Sequence, residues 1–177
     1  PLDRRDKAWQ EVKAANPGIE EVAVFGTLDN PIANSNANQA RSVLQANSDI
    51  TVMFAPYDEF AKGVKLAVDE AGLTDQIDIY SADVSTADIS LMRESGSAWA
   101  ATVATNPAVV GEVCVRSLAI MLTGGDPGSS VIVPPTLITQ SFLNEQDIKN
   151  MEDLGNKMPQ FQHADVAVSY THLTLPT

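Results

Sequence analysis

The first third of the chain alternates between helical periodicity and short apolar runs. Apolar positions in residues 3–16 recur at helical spacing, and Asn16-Pro17-Gly18 then stops the predicted helix. Residues 21–26 (EVAVFG) predict a short strand, and residues 34–47 predict a second helix. Residues 50–55 (ITVMFA) are continuously apolar, which predicts a strand covered by helices on both faces.

The same rhythm continues through the middle of the chain. Asp58 stands where it can cap a helix that runs to about Ala71, and Gly72 is placed to end it. Residues 76–81 predict a strand, and residues 98–104 predict another. Between them, residues 85–94 predict a helix that either Ser85 or Thr86 can cap.

Strands that alternate with helices of these lengths indicate right-handed βαβ units. The fold class that we expect is therefore α/β, with a doubly wound parallel sheet between two helical layers.

After the last of these strands, Pro107 lies near the first turn of a predicted helix that ends before the turn cluster at 123–128. Residues 131–133 and 136–139 predict short strands, and residues 145–154 predict a final helix.

Composition narrows the classes of partner. The 177 residues include 23 acidic and 11 basic side chains, a formal charge of −12, which opposes binding to nucleic acids or anionic lipid surfaces. The most apolar stretch, 109–122, is interrupted by polar residues and is too short to cross a bilayer. The first residue is Pro1 and no signal peptide is present, so we expect a truncated N-terminus.

The last ten residues, 168–177 (VSYTHLTLPT), differ from the rest of the chain. They carry no charge and no helical period. They resemble the translated read-through of a transposon-type sequencing adapter. We therefore expect them to be non-native and leave them out of the fold prediction.

Polar side chains follow three predicted strands. Tyr57 and Asp58 come after the first, Asp83 after the second, and Thr105 and Asn106 after the third. Ligands of open parallel sheets bind at the carboxyl ends of the strands. Carboxylates, amides and hydroxyls suit a polyhydroxylated ligand, and an aromatic face can cover the C–H side of a sugar ring. For Asp58 the pattern favours a helix cap over a ligand contact, because it directly precedes the apolar-periodic helix.

Signs of catalysis are weak. His163 lies in a polar tail and His172 in the suspected adapter, so neither is placed as a general base at a strand end. The single cysteine, Cys114, falls among apolar residues of a predicted helix and is expected in the core. No phosphate loop and no zinc spacing is present. The sequence predicts a binding protein without metal or cofactor, and an α/β enzyme is the less economical alternative.

Three segments carry a resemblance to a known family. They are residues 52–63 (VMFAPYDEFAKG), 79–83 (IYSAD) and 101–107 (ATVATNP). In this order and spacing they resemble the type I periplasmic sugar-binding proteins, the group that binds ribose and the autoinducer. The resemblance extends over nearly all of residues 2–140.

The resemblance implies roles for individual residues. Asp83 matches the aspartate that binds sugar hydroxyls, and Arg5, four residues before Trp9, matches an arginine that contacts ligand. Tyr57 stands where asparagine is frequent, and Thr105 stands where the hinge glutamine is found. These two departures imply that the sugar need not be ribose.

The resemblance also implies a domain organisation. Residues 2–104 would form the C-terminal lobe, 105–130 the segment that crosses to an absent N-terminal lobe, and 131–167 the return strand and tail. The apolar face of the crossing helix would then be partly uncovered.

The implied function is that of the solute-binding component of an ABC importer. It would hold a sugar or polyol between two lobes and present it to the permease. We expect a periplasmic or extracellular location, with or without a lipid anchor, and a monomer when complete. The alternative is the effector-binding core of a LacI-type repressor, which shares the fold.

Overall fold

The computed structural model describes residues 2–130 and 132–162. The elements in chain order are α1 (Leu2–Ala15), α2 (Ile32–Ala46), β1 (Val52–Ala55), α3 (Asp58–Ala71), β2 (Asp78–Ala82), α4 (Thr86–Met92), β3 (Trp99–Ala104), α5 (Pro107–Leu122), β4 (Thr136–Thr139), α6 (Gln140–Glu145) and α7 (Met151–Lys157), followed by a 3₁₀ turn at Pro159–Phe161. The predicted α/β class is confirmed.

The strands form one sheet in the order β1-β2-β3-β4. β1, β2 and β3 are parallel, with Val52 opposite Asp78 and Ile79 opposite Trp99. β4 runs antiparallel to β3. The parallel strands place their carboxyl ends, and the loops that follow them, along one edge of the sheet.

One face of the sheet is buried and the other is half open. Met53, Ala55 and Ile79 are buried on the face that packs against α3. On the opposite face Val52 and Phe54 are 52% and 41% exposed, so the prediction that both faces of this strand are covered was wrong. The contact made by α1 on that face is narrow: the Trp9 ring stacks on Phe54 at a centroid distance of 5.4 Å.

Helices α2 and α3 pack closely at Gly63. A Cβ built on Gly63 would lie 2.3 Å from the Ala33 carbonyl oxygen, so only glycine permits this approach. Asn36 on α2 is buried beside it and donates from Nδ2 to the carbonyl oxygens of Thr27 and Ile32, each at 2.8 Å. This amide ties the start of α2 to the chain that precedes it.

One predicted strand is absent, and none is found in the described part of another. Residues 21–26 form no ladder with β1, the edge strand, and the backbone N–H groups of Gly26 and Thr27 donate to side chains of α2 instead, at 2.8 and 3.1 Å. In the segment 131–133, Val131 lies outside the described residues and the other two are not in a strand. The error at 21–26 has a physical cause, since alternating apolar residues make a strand only where a partner strand accepts their hydrogen bonds.

The predicted helix at 145–154 was also wrong. Asp147 has φ 50°, a left-handed conformation that separates α6 from α7. Arg93 holds this turn through Asp147 Oδ1 at 2.7 Å and the Ile148 carbonyl oxygen at 2.9 Å. Asn150 then caps α7 by accepting from the Asp153 N–H at 2.9 Å.

Helix α5 buries none of its residues. Cys114 is exposed, which corrects the prediction that it is a core residue. Its apolar neighbours Val115 and Leu118 are themselves 69% and 56% exposed, so the apolar local sequence does not bring Cys114 into a core. The suspected adapter at 168–177, together with His163 and His172, lies outside the described residues.

Candidate functional site

Arg5 and Asp83 form a bidentate ion pair at the carboxyl edge of the sheet. The Arg5 Nη1 and Nη2 atoms each lie 2.7 Å from one Asp83 carboxylate oxygen. Nη1 also donates to the Pro56 carbonyl oxygen at 2.5 Å. The hydrogen bonds that Arg5 donates to Asp83 raise the pKa of Arg5, so this guanidinium stays charged. Arg5 thus joins α1 to the loops that follow β1 and β2.

Asp83 is held in a conformation that few side chains adopt. Its φ is 78°, in the left-handed region. The Asp83 N–H donates to the Val103 carbonyl oxygen at 2.9 Å, and its own carbonyl accepts from Thr102 Oγ1 at 2.7 Å. Strained backbone of this kind clusters at binding and catalytic sites. The carboxylate is therefore fixed at the sheet edge by the neighbouring strand.

Tyr57 directly follows Pro56, whose carbonyl oxygen accepts from Arg5, and the charge of Asp83 acts on it. Its ring packs edge-on against Phe60 at 5.5 Å, and the residue is half-buried. Burial, followed by the charge of Asp58, raises the pKa of Tyr57, so its hydroxyl remains neutral and can donate or accept.

The alternative role of Asp58 as a helix cap was wrong. Tyr57 holds the N-cap position of α3 and Asp58 is the first helical residue. The Asp58 side chain turns toward Lys62, with Oδ2 3.7 Å from Nζ. Burial is the main cause that raises the pKa of Asp58 to about 6, and the charge of Asp88 is the next. By contrast, Ser85, one of the two caps that the sequence allowed, does cap α4.

The residues after β3 are placed differently. Asn106 is buried and both ends of its amide are engaged: Oδ1 accepts from the Ala108 N–H at 3.0 Å and Nδ2 donates to the Gln162 carbonyl oxygen at 3.1 Å. It caps α5. Thr105 is half-buried next to it. The structure thus brings Arg5 and Asp83 into contact and holds the chain next to Tyr57 through Pro56. The side-chain amide of Asn106 is taken up by hydrogen bonds to backbone groups.

Sequence reasoning missed two groups near this edge. The first is the pair Lys62 and Asp88, which meet at 3.2 Å between α3 and α4. The spacing of Asp58 and Lys62, four residues apart on a helix, was the available signal. The second is the buried hydrogen bond from Trp99 Nε1 to Ser81 Oγ, at 2.8 Å, which no local pattern indicates.

Within residues 2–130 and 132–162, no group of three or more metal-binding side chains comes together. In the same part of the chain, none of the helices combines the length and the apolar character that a bilayer span requires.

The fold and this edge define the class: one lobe of an α/β binding protein whose ligand contacts would come from loops at the carboxyl ends of parallel strands. The family model described as the periplasmic binding protein domain matches residues 2–126, and the chain belongs to this family. The expectation drawn from the sequence resemblance is thereby confirmed.

Solved structures of solute-binding proteins are similar to this chain. The 5-methylthioribose transporter solute binding protein from Thermotoga lettingae, solved with 5-methylthioribose, is 38% identical with a TM-score of 0.88, and the match covers 92% of this chain and 51% of that one. A sugar ABC transporter protein from Yersinia enterocolitica is 31% identical with a TM-score of 0.83, covering 90% and 48%. An ABC transporter solute binding protein from Agrobacterium vitis with bound allitol, 23% identical with a TM-score of 0.73 and coverage of 87% and 51%, shares the fold.

The chain therefore spans about half the length of these relatives. Among curated proteins, no sequence matches it.

Proposed function

We propose that this chain is the C-terminal lobe of an extracytoplasmic solute-binding protein that delivers a sugar or polyol to an ABC permease. In this proposal residues 2–104 form the lobe, α5 crosses to a second lobe, and β4 returns. The protein acts as a binder, without catalysis and without nucleic acid, as a periplasmic or extracellular monomer. A lipid anchor in the full-length protein is part of the same proposal.

The observation that carries the proposal is the Arg5–Asp83 pair. An arginine has five N–H donors, and the Arg5 side chain uses two of its nitrogens on Asp83 and Pro56, which leaves donors for a ligand. The Asp83 carboxylate also keeps free acceptor positions for paired hydroxyls. Side chains of this pair are 33% and 38% exposed, so a ligand can reach both.

The ligand that we propose is a neutral polyhydroxylated molecule in the size range of a pentose. Relatives are solved with 5-methylthioribose, allitol and D-arabinose, which share vicinal hydroxyls. In this proposal Tyr57, on which the charge of Asp83 acts, supplies an aromatic face, and Thr105 supplies a hydroxyl from the loop after β3. An aromatic face suits an apolar ligand part such as a methylthio group or the C–H side of a ring.

Calorimetry on the full-length protein tests this proposal. A panel of 5-methylthioribose, pentoses, hexoses and polyols should contain at least one tight ligand. Asp83→Asn should raise its Kd by about 10- to 100-fold, since a charge-assisted hydrogen bond is lost. Asp147→Asn is the matched control, because Asp147 also pairs with an arginine at 2.7 Å and also has positive φ but lies in the α6–α7 turn. Equal affinity in both variants would remove Asp83 from the site, and no binding in the whole panel would refute the ligand class.

A further inference from the structure

A cluster of charged side chains lies behind the binding edge, between α3 and α4. Asp88, in the first turn of α4, is 0% exposed. The Lys62 Nζ atom lies 3.2 Å from Asp88 Oδ1, 2.5 Å from Glu59 Oε1 and 3.7 Å from Asp58 Oδ2. Lys62 therefore links α4 to the beginning of α3, where the loop after β1 enters the helix.

Burial of the charged Asp88 carboxylate at this position costs folding free energy. Neither carboxylate oxygen makes a hydrogen bond of standard geometry within the described residues, and Lys62 supplies the only opposite charge at salt-bridge distance there. The cap of α4 involves only the backbone of Asp88, whose N–H donates to Ser85 Oγ at 3.3 Å, and makes no use of the carboxylate. Since apolar side chains join two helices at lower cost than a buried ion pair, packing alone does not explain Asp88.

Two cations hold the same pair of loops from opposite sides. Arg5 joins the Pro56 carbonyl oxygen to Asp83 at the exposed side of the edge. Lys62 joins Asp58 to α4 on the buried side. The peptide that connects these two attachment points carries Tyr57. Its position relative to Asp83 is thus set from both sides.

We propose that Asp88, acting through Lys62, is a positioning residue that fixes the Tyr57–Asp58 segment and thereby sets the affinity of the edge for its ligand. This inference rests on the function proposed above for the same edge.

The titration of Asp58 should make ligand affinity depend on pH. The charged groups that act on Asp58 or share its surroundings are Asp88 on α4, Lys62 and Glu59 on α3, Arg5 on α1 and Asp83 after β2. Burial, followed by Asp88, raises the pKa of Asp58 to about 6, while Lys62 lowers it. Protonation of Asp58 removes its charge from Lys62, so the segment is held less firmly at acid pH. Ligand affinity of the wild type should then weaken as the pH falls through about 6.

The experiment measures the Kd of the full-length protein for its best sugar between pH 5 and pH 8. Lys62→Met and Asp88→Asn should each raise Kd by about tenfold at pH 7.5, the effect expected for one lost polar link. The double variant should lose no more than either single one, because both act through one contact. Lys62→Arg should restore most of the affinity, and Asp88→Asn should move the pH midpoint below that of the wild type.

Lys65→Met is the matched control. Lys65 is a buried lysine of the same helix, 3% exposed, and it pairs with Asp69 at 2.6 Å and with Glu94. Its loss should lower the melting temperature and leave Kd unchanged. A Kd that responds equally to Lys62→Met and Lys65→Met, or to neither, would overturn the inference.

A second measurement works without a ligand. The carboxyl carbon of Asp58, followed by NMR, should titrate near pH 6 in the wild type and lower in Asp88→Asn. Lys62→Met should shift the amide signals of Tyr57 and Asp83, and Lys65→Met should not. Wild-type protein that binds no sugar would refute the proposed function, and unchanged Tyr57 and Asp83 signals in Lys62→Met would refute this inference.

Discussion

Substitution of Gly63 by alanine tests the packing of α2 on α3. The added Cβ would meet the Ala33 carbonyl oxygen at 2.3 Å, the Ala37 backbone nitrogen at 2.9 Å and Asn36 Cβ at 3.0 Å. Two of these are backbone atoms that cannot rotate away, so α2 must move by roughly 1 Å to restore ordinary contact distances. That movement also strains the hydrogen bonds that buried Asn36 makes to the chain before α2.

Overpacking of a core costs about 1–3 kcal/mol, and the strained amide adds to it. Alanine recovers about 1 kcal/mol of helix propensity. We therefore expect Gly63→Ala to lower the free energy of unfolding by about 1–3 kcal/mol, which corresponds to a fall in melting temperature of roughly 3–10 °C for a chain of this size.

Gly111→Ala is the control for this prediction. Gly111 also lies inside a helix, α5, and a Cβ built there has no heavy atom within 4 Å. It should gain up to about 1 kcal/mol from propensity alone. Both variants of the 177-residue chain can be compared by thermal and urea unfolding followed by circular dichroism. A Gly63→Ala variant as stable as Gly111→Ala would show that α2 does not approach α3 this closely.

Three further predictions concern stability. The pKa of Asp58 is about 6 in the folded chain, above its ordinary 3.8, so this group favours folding below pH 4 and loses that contribution as the pH rises through 6. Asp58→Asn should remove about 1–2 kcal/mol of the pH dependence of the free energy of unfolding, a figure that allows for the solvent that reaches the carboxylate. An unchanged profile of urea midpoints against pH would contradict this. Ser81→Ala leaves the buried Trp99 Nε1 without its acceptor and should cost about 1–3 kcal/mol in urea unfolding, whereas a cost near zero would mean that the hydrogen bond is not formed. Asn106→Ala removes the cap of α5 and should cost about 1 kcal/mol with a loss of helical circular dichroism, and Asn106→Asp should retain the cap.

The sequence predicted the helices and strands that local chemistry defines. Periodicity located α1, α2 and α3, and Gly72 ends α3 with φ 67° as its lack of a side chain permits. Strand ends marked where polar residues gather, which brought Tyr57 and Asp83 into one prediction. The resemblance of short motifs to sugar-binding proteins then supplied the family, which the family model confirms.

The errors fall where a residue's state depends on a distant partner. Residues 21–26 have the alternation of a strand, but β1 does not pair with them, and local pattern contains no information on pairing. Asp58 has the side chain of a typical cap, yet Tyr57 holds the N-cap position and the Asp58 carboxylate lies 3.7 Å from Lys62 instead.

The sequence by itself determined the α/β class, most of the helices and the edge of the sheet where polar groups lie, because period and turn chemistry act within a few residues. Tertiary structure alone decided that Arg5 pairs with Asp83, 78 positions away, and that Lys62 of α3 pairs with Asp88 of α4. Contacts of that range depend on how strands are ordered and helices are seated, and those choices are made by the burial of the whole chain.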